Sequence, residues 1–130
     1  MKTPRVFIVF VYIIILFGIA VFPFKEISYR ADHTYYFQIR LDHIYHILFF
    51  SPWMSIGYCL FTNRFLHLSS TLTWFIFGLM LALSTEGIQY FLSYRTFTLL
   101  DLLSNFTGVI LSWLVLPLTK MLCNKVMKRL

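Results

Sequence analysis

Charged side chains are scarce in this sequence. Asp and Glu together number 5, and all charged residues make up 12% of 130, where a soluble domain carries about a quarter. That excludes an ordinary water-facing surface. Cysteines number 2, at Cys59 and Cys123. Both fall near helix ends expected to face a reducing compartment, which argues against a structural disulfide, and neither has a catalytic context. No H-E-x-x-H and no clustered thiols are present to announce a metal centre. The chain also lacks low-complexity segments, internal repeats and any break in composition that would mark a second domain, so residues 1–130 are read as a single domain.

What is abundant is apolar. Hydrophobic residues make up 59% and the mean hydropathy is +0.77. Uncharged runs cover residues 6–24, 47–62, 68–85 and 102–119, each near the roughly 20 residues a spanning helix needs. Flanking residues that suit the headgroup region extend the shorter runs. The expectation is an all-α, four-transmembrane-helix bundle with helices at about 6–24, 42–62, 66–93 and 98–122. The first run follows Met1, Lys2 and Arg5 as a signal peptide would, but it is too long for an h-region and lacks an A-x-A cleavage site, so a retained helix is expected. Pro52 falls inside the second helix and should kink it.

The basic residues set the orientation. Lys2, Arg5, Arg64, Lys120, Lys125, Lys128 and Arg129 fall on one side; Lys25, Arg30, Arg40 and Arg95 fall on the other with all five acids. The positive-inside rule then makes both termini cytoplasmic. The net charge of +6 is a topology signal and not a nucleic-acid footprint; no nucleic-acid partner is expected. The outer segment 25–41, KEISYRADHTYYFQIRL, carries Tyr29, Tyr35, Tyr36 and Phe37, which suit an aromatic belt at the headgroups. Helix, hairpin and loop all remain open for it.

In a four-helix chain the first and third connections face the same compartment, so the polar residues beside them can meet. The second helix begins LDHIYH, with Asp42 and His46 sharing a face and His43 about a hundred degrees round. The third ends with Glu86, Gln89 and Ser93 on one stripe. The fourth begins with Asp101, Asn105, Gly108 and Ser112 at spacings of 4, 3 and 4. At 1.5 Å per residue, Glu86 is expected about 12 Å below a helix end near Tyr94, and Asn105 about 10 Å below Thr98. A carboxylate that deep costs roughly 2.5 to 3.5 kcal/mol to insert and normally faces a bundle interior or a wet cavity. The expectation is a cup opening outward. Arg95 and Arg40 form its rim, Asp42, His43, His46, Gln89 and Asp101 its wall, and Glu86 and Asn105 its floor.

Each residue also has a plain structural reading. Thr98 with Asp101 fits a capping box. Gly108 and Ser112 fit close helix approach, Gln89 and Asn105 interhelical hydrogen bonds, His43 a solvated interfacial position, and Arg95 a lipid-phosphate anchor. Glu86 is hardest to explain this way, because Gln would make the same hydrogen bond at lower cost.

The pattern Asp42-x-x-x-His46, followed by Glu86-x-x-Gln89-x-Phe91, Arg95, Thr98, Asp101, Asn105 and Gly108, resembles the VanZ-like family of small bacterial membrane proteins over about residues 40–112. His43 stands where that family usually has Lys, Thr98 where it has Ser, and Ser112 where a second Gly is common. The resemblance implies a bacterial cytoplasmic-membrane protein with a cell-envelope role, the founding member being associated with teicoplanin resistance. It does not settle the chemistry.

Site chemistry therefore leaves three readings. In the first, the pocket binds or processes a phosphate-bearing envelope lipid: Arg95, with Arg40 or His43, would hold the phosphate, with Gln89 and Asn105 as further substrate contacts. His46, oriented by Asp42, and Glu86 would exchange protons, with Asp101 beside them. In the second, the cluster belongs to a non-enzymatic module that binds lipid, moves it with proton coupling or modulates a partner protein. In the third, a minority reading, His46, Glu86, Asp42 and Asp101 hold a metal. Otherwise no cofactor is expected, the partner is an anionic or phosphate-bearing lipid, and a protein partner or homo-oligomer is left open.

Overall fold

A computed structural model describes residues 3–21, 35–36, 39–61, 67–94 and 97–127. Helix α1 spans Thr3–Val21. A two-residue antiparallel ladder follows, β1 (Tyr35–Tyr36) with β2 (Ile39–Arg40), in the register Tyr35 to Arg40. Then come α2 (Leu41–Phe50), α3 (Trp53–Phe61), α4 (Leu68–Tyr90) and α5 (Leu99–Met127). Taken together, α2 and α3 form one span, so among the described residues four helical stretches are long and apolar enough to cross a membrane. This is an all-α, multi-pass membrane architecture. Of segment 25–41, only the two short strands and Leu41 are described. Helix α4 stops at Tyr90, three residues before the expected end at 93, and α5 runs to Met127, past the expected 122.

Pro52 does more than kink its helix, because it divides the second span into α2 and α3. Proline has no N–H to offer the carbonyl four residues back, that of Leu48. The Ser51 hydroxyl donates to that carbonyl instead, at 3.0 Å. Helical bonds resume on either side, with Ser51 N–H to the Ile47 carbonyl at 3.0 Å and Ile56 N–H to the Pro52 carbonyl at 2.9 Å. A membrane protein tolerates such a break only where the freed groups are satisfied, and here they are. Tyr12 of α1 donates its hydroxyl to the carbonyl of Phe49, next to the break.

Between α3 and α4 the bundle is locked by an indole pair. Trp53 is fully buried and stacks on Trp74 at 4.7 Å with the planes 7° apart. Each indole N–H donates to the other residue's carbonyl, at 2.9 and 3.3 Å, so neither nitrogen enters the apolar interior unpaired. Gly78 makes room for the stack, since a Cβ there would lie 2.6 Å from the Trp53 ring. Helix α5 packs against α2, α3 and α4, while α1 leans on α4 and α3. Outward faces carry large apolar side chains such as Phe7, Phe10, Ile76, Met80, Leu114 and Leu118. An exposed band of this kind suits lipid contact.

Candidate functional site

Three helix ends build the polar cluster. Thr98 caps α5, its hydroxyl accepting the Asp101 N–H at 3.1 Å, as an N-cap residue does for the third residue of its helix. That cap fixes the first turns of α5 and with them Asp101 and Asn105. Helix α2 contributes Asp42, whose carboxylate accepts the His43 N–H at 2.9 Å, together with His43 and His46. Helix α4 contributes Glu86 one turn from its end.

Close approach of α2 and α5 depends on a glycine. A Cβ at Gly108 would lie 2.6 Å from the Ile47 carbonyl oxygen and 2.9 Å from the Phe50 Cβ. Ser112, fully buried one turn on, donates to the Val109 carbonyl at 2.6 Å. Small residues here admit the neighbouring backbone, as membrane helix packing requires.

The floor is a relay of three side chains from three helices. Asn105 donates from Nδ2 to Glu86 Oε1 at 2.7 Å, and its Oδ1 lies 2.9 Å from His46 Nδ1. Glu86 is 0% exposed and Asn105 1%. An ionised carboxylate only accepts hydrogen bonds, so Asn105 must present its amide NH2 to Glu86 and its oxygen to the imidazole. On this assignment the neutral His46 carries its proton on Nδ1, and Nε2 keeps a lone pair. Nε2 lies 4.0 Å from Asp101 Oδ1, and Nδ1 lies 3.6 Å from Glu86 Oε1.

Beside the relay is a second group. His43 Nδ1 lies 2.9 Å from Asp101 Oδ1 and 3.8 Å from Asp42 Oδ1. Its side chain is 11% exposed, so the expected solvated position is not what α2 provides: the turn that brings Ile47 against Gly108 also rotates His43 into the bundle. Asn105, rather than Asp42, is the hydrogen-bond partner that orients the His46 ring. Of the four residues weighed for a metal, Glu86 and His46 are engaged through Asn105. Asp42, His43 and Asp101 instead offer one ligand atom each within 4.8 Å of one another.

Gln89 turns the other way. Its Nε2 donates at 3.3 Å to the Ala20 carbonyl, and the Tyr94 hydroxyl donates at 2.6 Å to that of Val21. Both satisfy carbonyls in the last turn of α1, which have no partners inside their own helix, so Gln89 ties α1 to α4. Arg95 lies outside the described residues. Of Arg40 only the backbone in β2 is described. Sequence reasoning did not find the tethers from Tyr12 and Tyr94. Their signal is a phenol in an otherwise apolar helix or at a helix exit, where the hydroxyl needs a partner.

No curated protein and no solved structure is similar enough to this chain to match it. The family model described as VanZ/LLP1 matches residues 7–120, which reaches into all four spans and takes in every residue of the cluster. The chain belongs to the VanZ/LLP1 family.

Proposed function

We propose that the cluster is the floor and wall of an outward-facing pocket that binds or processes a phosphate-bearing lipid or precursor of the bacterial cell envelope. The observation that carries this reading is the Glu86–Asn105–His46 relay, a fully buried carboxylate coupled through an amide to an imidazole. Such an arrangement is costly in a membrane and suits proton transfer. His46 Nε2 takes the proton from an attacking water or second substrate, and Glu86 steadies the positive imidazole that results. Arg95 and Arg40 at the rim supply guanidinium forks for phosphate oxygens. With both termini in the cytoplasm, as the basic residues predict, the pocket meets the outer leaflet. A role in teicoplanin-type resistance follows from the family resemblance.

One observation favours a non-enzymatic module that binds lipid or modulates a partner. Glu86 and Asn105 are closed off from solvent and bonded to each other, as a purely structural clamp between helices would be. Glu86→Gln separates the two readings, because Gln still accepts from Asn105 but takes no part in proton transfer. Acid–base chemistry predicts normal expression with loss of the resistance or lipid phenotype. A retained phenotype would leave only the module. Mass spectrometry of lipid retained after gentle purification tests the substrate class, and retained lipids without a phosphate group would refute it.

A further inference from the structure

We propose that Asp42, His43 and Asp101 form a binding site for one divalent transition-metal ion of the zinc or manganese class, at the mouth of the relay. The inference goes beyond the lipid reading and stands or falls without it.

Its basis is a contact that is close yet makes no hydrogen bond. His43 Nδ1 and Asp101 Oδ1 lie 2.9 Å apart, and both atoms are buried. Among the described residues neither has a hydrogen-bond partner. Asp101 as a whole is 5% exposed. A nitrogen and an oxygen at that distance should share a proton if the N–H pointed at the carboxylate; here it does not. Two ligand atoms on one cation show the same arrangement, because metal–ligand bonds of roughly 2.0 to 2.2 Å at right-angled to tetrahedral spacing hold neighbouring donors about 3 Å apart. Asp42 Oδ1, 3.8 Å from the same nitrogen, closes a third side, and all three ligand atoms lie within 4.8 Å of one another.

Charge points the same way. Two carboxylates beside a neutral imidazole carry two negative charges in a largely buried setting, with side chains 16%, 11% and 7% exposed for Asp42, His43 and Asp101. A divalent cation neutralises both. One nitrogen and two oxygens suit zinc or manganese better than calcium, which prefers an all-oxygen set. Three protein ligands leave a coordination position open for water or a phosphate oxygen, the pattern of a working site and not of a structural one. The ligands come from the first turns of α2 and α5, so the ion would also clamp those helix ends together.

The test uses the metal alone. The full chain, purified in detergent, is stripped with EDTA and equilibrated with zinc or manganese, and the bound ion is counted by plasma mass spectrometry. One ion per chain is expected. Asp101→Asn should weaken binding by at least about tenfold. His43→Lys should do the same while keeping the wild-type melting temperature, because an ammonium supplies charge but no lone pair. Glu86→Gln, which lies outside the three-ligand group, should bind like the wild type. Well under one ion per chain in the wild type would overturn the proposal, as would equal binding by wild type and Asp101→Asn. Lipid content plays no part in the readout, so failure of the lipid reading leaves this result intact.

Discussion

Replacing Gly108 by Ala should separate α2 from α5, and Gly87→Ala provides the matching control. Both positions are inside helices, so both substitutions gain the same intrinsic helix propensity, about 1 kcal/mol. Their surroundings differ. A Cβ at Gly87 meets nothing within 4 Å, whereas one at Gly108 lies 2.6 Å from the Ile47 carbonyl oxygen and 2.9 Å from the Phe50 Cβ. The obstruction is backbone and cannot rotate away, so the helices must part by roughly half an ångström, and overpacking of that kind costs about 1 to 3 kcal/mol. The difference between the two variants therefore isolates the clash. Ile47 adjoins His46, and Asn105 is one turn before Gly108, so the parting should also loosen the His46–Asn105 bond. Equilibrium unfolding in mixed detergent micelles measures the difference, and nitrogen-15 chemical shifts of the His46 ring report the loosening. If the two variants agree within about 0.5 kcal/mol, the size expected of an uneventful substitution, the close packing of α2 on α5 is wrong.

Cys59 and Cys123 have their sulfurs 2.7 Å apart, so mild copper oxidation should join them within one chain, near the roughly 2.05 Å of a disulfide. Thiol counting with a maleimide polymer checks this, and loss of the two thiols only in dimers would refute the register of α3 on α5. Asn105→Leu should cost about 1 to 3 kcal/mol by leaving the buried Glu86 carboxylate short of a donor, and Glu86→Leu in the same chain should restore part of it. Strict additivity in that cycle, read by the same unfolding assay, would mean the two side chains do not interact.

The helices were legible because the bilayer leaves few alternatives: uncharged runs near 20 residues and a mid-run proline carry most of the architecture. Pairing was less legible. The i, i+4 relation of Asp42 and His46 puts them on one face of α2, yet the face that packs on α5 carries His43, His46, Ile47 and Phe50. That spacing of 3, 1 and 3 is the ordinary signature of a packed helix stripe, and Gly108 selects it by accepting Ile47. Depth was overestimated for Glu86, since α4 ends at Tyr90 and the carboxylate lies four residues in, about 6 Å by helical rise. For Gln89 the interhelical hydrogen bond was legible as one of two readings, but its partner was not. Its acceptor is the backbone carbonyl of Ala20, and no pattern of side chains reveals which helix end will need a donor.

The two ends of the α5 seam bear on why Glu86 and Asp101 are present at all. Lipid tails are as apolar as leucine, so helices in a bilayer assemble through close packing and hydrogen bonds. At the end remote from the cluster this is done by groups with little or no charge. Ser55 bonds Thr119 at 2.9 Å, Tyr58 donates to Asn124 at 3.2 Å, and the two cysteines touch; Lys120 lies over the Tyr58 ring at 5.7 Å. Hydroxyls and amides thus suffice to hold α3 to α5. The opposite end holds α2 and α4 to the same helix with two buried carboxylates and two imidazoles. An acid buried in a membrane bundle carries a desolvation cost that an amide does not, and the fold demonstrates the cheaper solution within the same helix. The ionisable groups are therefore better explained by proton or cation chemistry than by assembly.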